Sequence, residues 1–175
     1  DGAIAVDVRS SGQLKLVNLR VQGSIFHRGV SVILSDGVLE APGLAIDQSG
    51  PGSLRLERIY TSGGLKLEGG SGSLRSVSVE GAGVTVQSSI VTLAGLWIRE
   101  PAGVGLEVEE SDLSGSDLVI LGAVGGGLRA KNGSLSLWDL VLLDTHADPA
   151  PGEMDGSAIW IDGQVEARGS LERLV

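Results

Sequence analysis

The feature that most constrains this chain of 175 residues is a short repeat. A Gly-rich break is followed by an apolar-x-apolar pair, and successive pairs start 19 to 22 residues apart until a final step of 31. The pairs are Ile4/Val6, Ile25/His27, Leu44/Ile46, Leu65/Leu67, Val84/Val86, Leu106/Val108, Leu128/Ala130 and Ile159/Ile161. A fixed period of this length is typical of solenoids, in which each repeat packs only against its neighbours.

A second pattern follows each pair and places four inward positions at spacings of two, three and two, as in Val91, Leu93, Leu96 and Ile98. Spacing of two puts side chains on one face of a strand, and the step of three inserts one residue at a bend. The bend residue is in turn Asn18, Asp36, Arg58, Ser76, Gly95, Asp117 and Asp139. Asn, Asp and Gly tolerate the left-handed conformation that such a corner needs, whereas Arg58 fits this expectation poorly.

These patterns predict an all-β fold, a right-handed single-stranded parallel β-helix of about seven coils with three short strands each. Residues 1–175 form one domain in this interpretation, and aromatic residues are only 3%, so the core is aliphatic. A sandwich is disfavoured because Asp36-Gly37 falls inside a bend and not between strands. We expect the chain to be a segment of a longer protein, since solenoid ends need caps; head-to-tail self-association is the alternative.

Charge and composition exclude several classes of function. The net charge of −9 disfavours binding to nucleic acid. The chain has no cysteine and therefore no disulfide or thiolate metal site. No apolar run approaches the roughly 20 residues that a membrane span requires.

Three segments carry a resemblance to a known superfamily. Gly64-Leu65-Lys66-Leu67, Gly83-Val84-Thr85-Val86 and Gly105-Leu106-Glu107-Val108, each followed by alternating aliphatic residues, resemble the right-handed parallel β-helix repeats of the pectin-lyase-like superfamily. In particular they are similar to the non-catalytic arrays of large exported bacterial proteins, which implies an extracellular or cell-envelope location. The asparagines that pectate lyases often stack at the tight bend are represented only by Asn18, so no catalytic residue is carried over.

The outward positions of the third strand suggest a binding surface. Five of seven are apolar, namely Val38, Tyr60, Trp97, Val119 and Val141. A contiguous apolar stripe marks an interface. The sequence therefore favours a non-catalytic structural or interaction scaffold that binds a protein partner, or a neighbouring domain of its own chain, along this stripe.

The alternative is a carbohydrate-binding or polysaccharide-active domain that uses the first-strand face and the loop 143–157. On that face Arg129 and Trp160 are candidates to hold a sugar, and the loop adds Asp144, His146 and Asp148. Whether the chain is an enzyme is left open.

The same loop is a weak candidate for a metal site. Asp148, Glu153 and Asp155 supply oxygen atoms of the kind that Ca²⁺ prefers, although no calcium-loop spacing is present. A solvated loop without metal is the simpler interpretation, and no other cofactor is expected.

The repeat also makes predictions for an inward histidine and for charged residues on the outward face of the first strand. His27 occupies an inward position, which predicts either a slipped register in that coil or a buried histidine with satisfied hydrogen bonds. On the outward face, Glu107 and Glu109 are expected to pair with Arg129 and Lys131 of the next coil.

Overall fold

The computed structural model describes residues 4–8, 12–145, 159–162, 167–168 and 171–174, and every regular element in this part of the chain is a β-strand. The strands are β1 (Ile4–Val8), β2 (Gln13–Gln22), β3 (Ser24–Arg28), β4 (Ser31–Glu40), β5 (Leu44–Ser49), β6 (Ser53–Thr61), β7 (Gly64–Glu68), β8 (Ser71–Glu80), β9 (Val84–Gln87), β10 (Ile90–Arg99), β11 (Leu106–Glu109), β12 (Asp112–Leu121), β13 (Leu128–Lys131), β14 (Ser134–Leu143), β15 (Ile159–Asp162), β16 (Ala167–Arg168) and β17 (Leu171–Leu174).

The strands form two parallel sheets. The odd-numbered strands from β1 to β15 make one sheet of eight, and the even-numbered strands make the other, with β17 pairing with β14. The chain alternates between the sheets and moves up one strand in each with every coil. This arrangement is a parallel β-solenoid, as the repeat predicted. Six coils, from β3 to β14, run without interruption through the described residues, slightly fewer than the seven expected.

The second and third strands predicted for each coil run into each other as one bent strand of nine or ten residues. All seven predicted bend residues have positive φ, between 51° and 58° for the six that are not glycine and 86° for Gly95. Arg58, with φ of 53°, adopts this conformation although its residue type argued against it. Its side chain reaches one coil back, where Asp36, the bend residue of that coil, accepts a bond of 2.8 Å from the Arg58 guanidinium.

The core consists of aliphatic columns that run along the solenoid. Leu65, Val84, Leu106 and Leu128 are buried and pair in direct succession across β7, β9, β11 and β13. Since parallel strands are about 4.8 Å apart, each column stacks methyl groups at contact distance. The predicted alignment of these residues is confirmed.

The predicted register is wrong in two of the first strands. Ile46 and Gln48 occupy the inward positions of β5 that had been assigned to Leu44 and Ile46. In β1, Val6 aligns with Ile25. The ladder has an irregularity between Leu44 and Ile46, and likewise between Ile4 and Val6, and both strands lie two residues away from the predicted register. A shift of two leaves the inward and outward alternation intact, so the sequence pattern alone does not reveal it.

Candidate functional site

The apolar stripe is made of Val38, Tyr60, Trp97, Val119 and Val141, as the sequence predicted. These residues lie on β4, β6, β10, β12 and β14 and follow one another in register, interrupted only by Ser78 on β8. Parallel pairing without a register shift is what brings side chains about 20 residues apart in sequence next to each other. The stripe is therefore a real row on one face of the solenoid.

The stripe is exposed at its aromatic residues. Tyr60 and Trp97 have 37% and 46% of their surface accessible, and the three valines are half-buried. Side chains of this size are normally covered when they align in a row, whereas single exposed apolar residues are common. The row therefore presents two exposed aromatic side chains and three half-buried valines on the outer surface of the described residues.

A second apolar row, which the sequence analysis missed, widens the stripe at one end. Leu121 and Leu143 are half-buried and pair with each other beside Val119 and Val141. The signal was present in the Val-x-Leu spacing of Val119/Leu121 and Val141/Leu143. Together with Trp97 these residues form a patch at the β12–β14 end.

Polar groups border the stripe. The guanidinium of Arg99 lies over the Trp97 ring, 5.6 Å from its centroid. The Tyr60 hydroxyl donates a hydrogen bond to the Glu80 carboxylate, and this bond raises the pKa of Tyr60. At the β2–β4 end Arg20 pairs with Glu40 at 2.8 Å. Bonds from Gln22 and Arg20 lower the pKa of Glu40.

The outward face of the middle strand differs from the stripe. Its central row is mostly hydroxyl-bearing or charged, and contains Lys15, Ile33, Arg55, Ser73, Thr92, Ser114 and Ser136. Trp138 on the same face is 52% exposed and pairs with Ser116, so it stands apart from other apolar groups in its row. This face offers isolated apolar side chains only.

The first-strand face contains a shallow groove of about 280 Å³. It is lined by Glu107, Val108, Glu109, Arg129, Lys131, Trp160 and Asp162. Arg129 lies 5.2 Å from the Trp160 ring centroid and pairs with Glu107 at 3.3 Å, while Lys131 pairs with Glu109 at 3.6 Å. Both predicted ion pairs are confirmed, and the structure brings Arg129 and Trp160 together.

The residues of the loop 143–157 are largely outside the described part of the chain. Asp144 is exposed and turns a corner with φ of 52°. His146, Asp148, Glu153 and Asp155 lie outside the described residues, so the calcium site stays a prediction. In the ranges that are described, no three potential metal-ligating side chains of His, Cys, Asp or Glu come together.

His27 is buried, as one of the two expectations has it, and the slipped register is wrong for its own strand. It points inward, in register with Val8 and Gln48, and is 1% exposed, so its own coil has not slipped. Neither ring nitrogen makes a well-formed hydrogen bond within the described structure, although the backbone of Val30 lies close enough to favour the protonated ring. Burial lowers its pKa, which keeps the ring neutral near pH 7.

Compared with known proteins, the chain matches no family model, no curated protein and no solved structure. The fold itself defines the class, a parallel β-solenoid. No helix long and apolar enough to cross a membrane occurs among the residues described.

Proposed function

We propose that this chain is a non-catalytic interaction scaffold that binds a protein surface along the apolar stripe. The observation that carries the proposal is the alignment of Val38, Tyr60, Trp97, Val119 and Val141 in register on one face. The resemblance to exported β-helix arrays adds an extracellular or cell-envelope location in bacteria to the same proposal.

The geometry of the stripe suits a protein partner. Tyr and Trp are the residues most often found at the energetic centre of interfaces, because a large rigid ring buries much area at small entropic cost. Trp97 is held by Arg99 on one side and borders Val119 on the other. A partner that covers Trp97 would also cover the two leucines, Leu121 and Leu143, of the second row.

The charged side chains that border the stripe indicate what the edges of the partner surface contain. Arg20 lies at one end of the stripe. Glu40, Glu80 and Arg99 lie along one side of it, and all four charged residues already contact a neighbour on this chain. An apolar centre with a polar rim is the common anatomy of protein interfaces. The partner surface is therefore apolar where it meets Trp97 and hydrophilic at its edges, whether it belongs to a separate protein or to another domain of the same polypeptide.

A photo-crosslinking experiment tests this function. A benzophenone amino acid replaces Trp97 in the protein, in the cells that naturally make it, and crosslinked products are identified after irradiation. We expect one dominant partner segment. Adding Val119→Asp should lower its yield about tenfold, equivalent to about 1.4 kcal/mol, because a carboxylate would be buried in the contact.

Trp138 is the matched control, since it is similarly exposed but lies on the middle-strand face. The benzophenone at position 138 should give none of the same product. Equal crosslinking from positions 97 and 138, or a yield from position 97 that Val119→Asp leaves unchanged, would contradict the proposal.

The second candidate is carbohydrate binding in the first-strand groove, which the contact between Trp160 and paired charged groups favours. Indole rings stack on sugars through their faces, but Arg129 already occupies one face of Trp160. The carboxylates of Glu107 and Glu109 are also held by cations of the next coil. These contacts make the groove the weaker of the two sites.

Titration with neutral and acidic oligosaccharides, followed by calorimetry, tests the second candidate. Binding that disappears in Trp160→Ala and survives in Trp138→Ala would establish the groove as a glycan site. Failure of every oligosaccharide to bind, together with a positive crosslinking result, would leave the interaction scaffold alone.

A further inference from the structure

The interior of the coils β3–β4 and β5–β6, the second and third when β1–β2 is counted as the first, contains a buried polar pair. His27 on β3 is 1% exposed and Gln48 on β5 is fully buried. They are neighbours in register, with Val8 of β1 before them and Leu67 of β7 after them. All other described coils place aliphatic residues at these inward positions of the first strand, so this pair is the one polar interruption of that column.

The pair is not satisfied by its surroundings. Neither Nδ1 nor Nε2 of His27 makes a well-formed hydrogen bond with the described residues, and the same holds for Oε1 of Gln48. Nε2 of Gln48 donates to the backbone carbonyl of Gly52 at 3.2 Å. A buried polar group without a partner is costly, and a buried charge without a partner is far more so.

The carboxylates on the flanking strands β1 and β5 do not enter the interior. Asp7 and Asp47 pair in register with Phe26, the residue before His27, and so lie on the outward face. The negative charge of Asp47 still raises the pKa of His27, and the nearby backbone of Val30 raises it as well. Both effects oppose that of burial, which lowers the pKa. Burial is the larger effect, so the net change in the pKa of His27 is downward.

The other charged groups on the packed strands have partners or lie in solvent. On β4, Asp36 is bound by Arg58 and Glu40 by Arg20. Arg28, on the same strand as His27, is exposed. None of these groups supplies a counter-charge inside the coil.

We infer that His27 is an acid-sensitive element of the fold: when it takes up a proton, a positive charge with no counter-charge inside the coil loosens β3 from β1 and β5. Near pH 7 the ring is neutral and the coil is closed. Acidification is thus expected to open the second and third coils before the coils further along the chain.

The direction of the pH dependence of stability follows from proton binding in the folded and the unfolded states. An unfolded histidine titrates near pH 6.5, whereas the folded state holds His27 below that value. As the pH falls through this window the unfolded state binds more protons than the folded state, and stability therefore decreases. A single group can raise the unfolding equilibrium constant by up to about tenfold for each pH unit in the window.

Urea unfolding of the whole chain between pH 7.5 and 5.0 tests the inference. We expect the unfolding constant of the wild type to rise toward acid, and His27→Leu, which restores the aliphatic column, to remove this rise. The control is His146→Gln at the only other histidine, which should keep the wild-type profile. A His27→Leu protein with the wild-type pH dependence would overturn the inference.

Two measurements on the wild type give an answer even where the variant fails to fold. In an NMR titration the His27 ring should have its midpoint below 6.5, and a midpoint at or above 6.5 would refute the mechanism. Amide exchange, corrected for its intrinsic pH dependence, should show β3 and β5 losing protection at pH 5.5 while β11 and β13 keep it. Equal behaviour of all four strands would likewise overturn the inference.

Discussion

Individual residues in the left-handed conformation turn the corners of each coil. Besides the bend inside the long strands, a second corner has Ser88, Glu110 and Asn132 stacked with φ between 48° and 52°. L-residues pay roughly 1–2 kcal/mol for this conformation. Bonds between coils offset part of this cost, as where the Ser88 hydroxyl donates to the Glu110 carboxylate at 3.3 Å.

Ser76 offers a direct test of this strain, because it has φ of 51° and its side chain is exposed. We predict that Ser76→Gly stabilises the chain by about 0.5–1 kcal/mol, since glycine adopts positive φ without a steric penalty. Chemical denaturation measures the change.

The matched control is Ser78→Gly, two residues later in the regular part of β8. Glycine inside a strand weakens it, so this variant should lose about 0.5–1 kcal/mol. A stability loss in Ser76→Gly as large as that in Ser78→Gly would show that the corner is not strained.

At the scale of the strand, inward glycines show how closely neighbouring coils approach. Gly72 on β8 and Gly115 on β12 replace aliphatic residues of the repeat at inward positions. A Cβ atom on Gly72 would clash with Cδ2 of Leu67, the far end of a flexible side chain, and would lie 3.1 Å from Cγ2 of Val91. A Cβ atom on Gly115 would clash with the backbone oxygen of Leu93, which cannot rotate away as a side-chain atom can.

We therefore predict that Gly115→Ala destabilises the protein by more than about 2 kcal/mol, because the clash is with backbone and φ is 147°. Gly72→Ala should cost about 1 kcal/mol or less. Thermal unfolding of both variants at equal pH provides the comparison. Equal losses of stability would mean that β12 can move away from β10 far enough to accommodate a Cβ atom at position 115.

At the scale of the whole molecule, stability is distributed along one axis. Nearly all contacts of a coil are with the coil before and the coil after it. Leu74 in β8 is 1% exposed and lies between Leu56 and Leu93. Leu14 in β2 is half-buried and has a strand neighbour on one side only within the described structure, at Val32 of β4.

This difference predicts two kinds of response to the same truncation. Leu74→Ala should cost about 2–5 kcal/mol and weaken amide protection on both sides of β8, because it leaves a cavity between two coils. Leu14→Ala should cost less and affect β2 and β4 alone. Hydrogen exchange resolves the two outcomes, and a loss of protection throughout the chain in Leu14→Ala would argue that the solenoid unfolds as a single unit.

Much of the fold could be predicted from local pattern. Alternation of side chains and the bend residues predicted the strands, the aliphatic columns and the row from Val38 to Val141. The register of β1 and β5 could not be predicted in this way, because a shift by two residues keeps the alternation. Arg58 at a left-handed corner was also unexpected, because arginine is not a residue type that favours positive φ.

The candidate site, like the fold, could be predicted from the sequence only in part. The sequence by itself determined the period, the identity of the stripe residues and the pairing of Glu107 with Arg129, because all of these follow from regular stacking. Only the tertiary structure decided that Leu121 and Leu143 widen the stripe and that His27 lies beside Gln48 without a well-formed hydrogen bond in the described structure. The physical reason is that burial and hydrogen bonding depend on what occupies the adjacent coils, about 4.8 Å away in space but some 20 residues away along the chain.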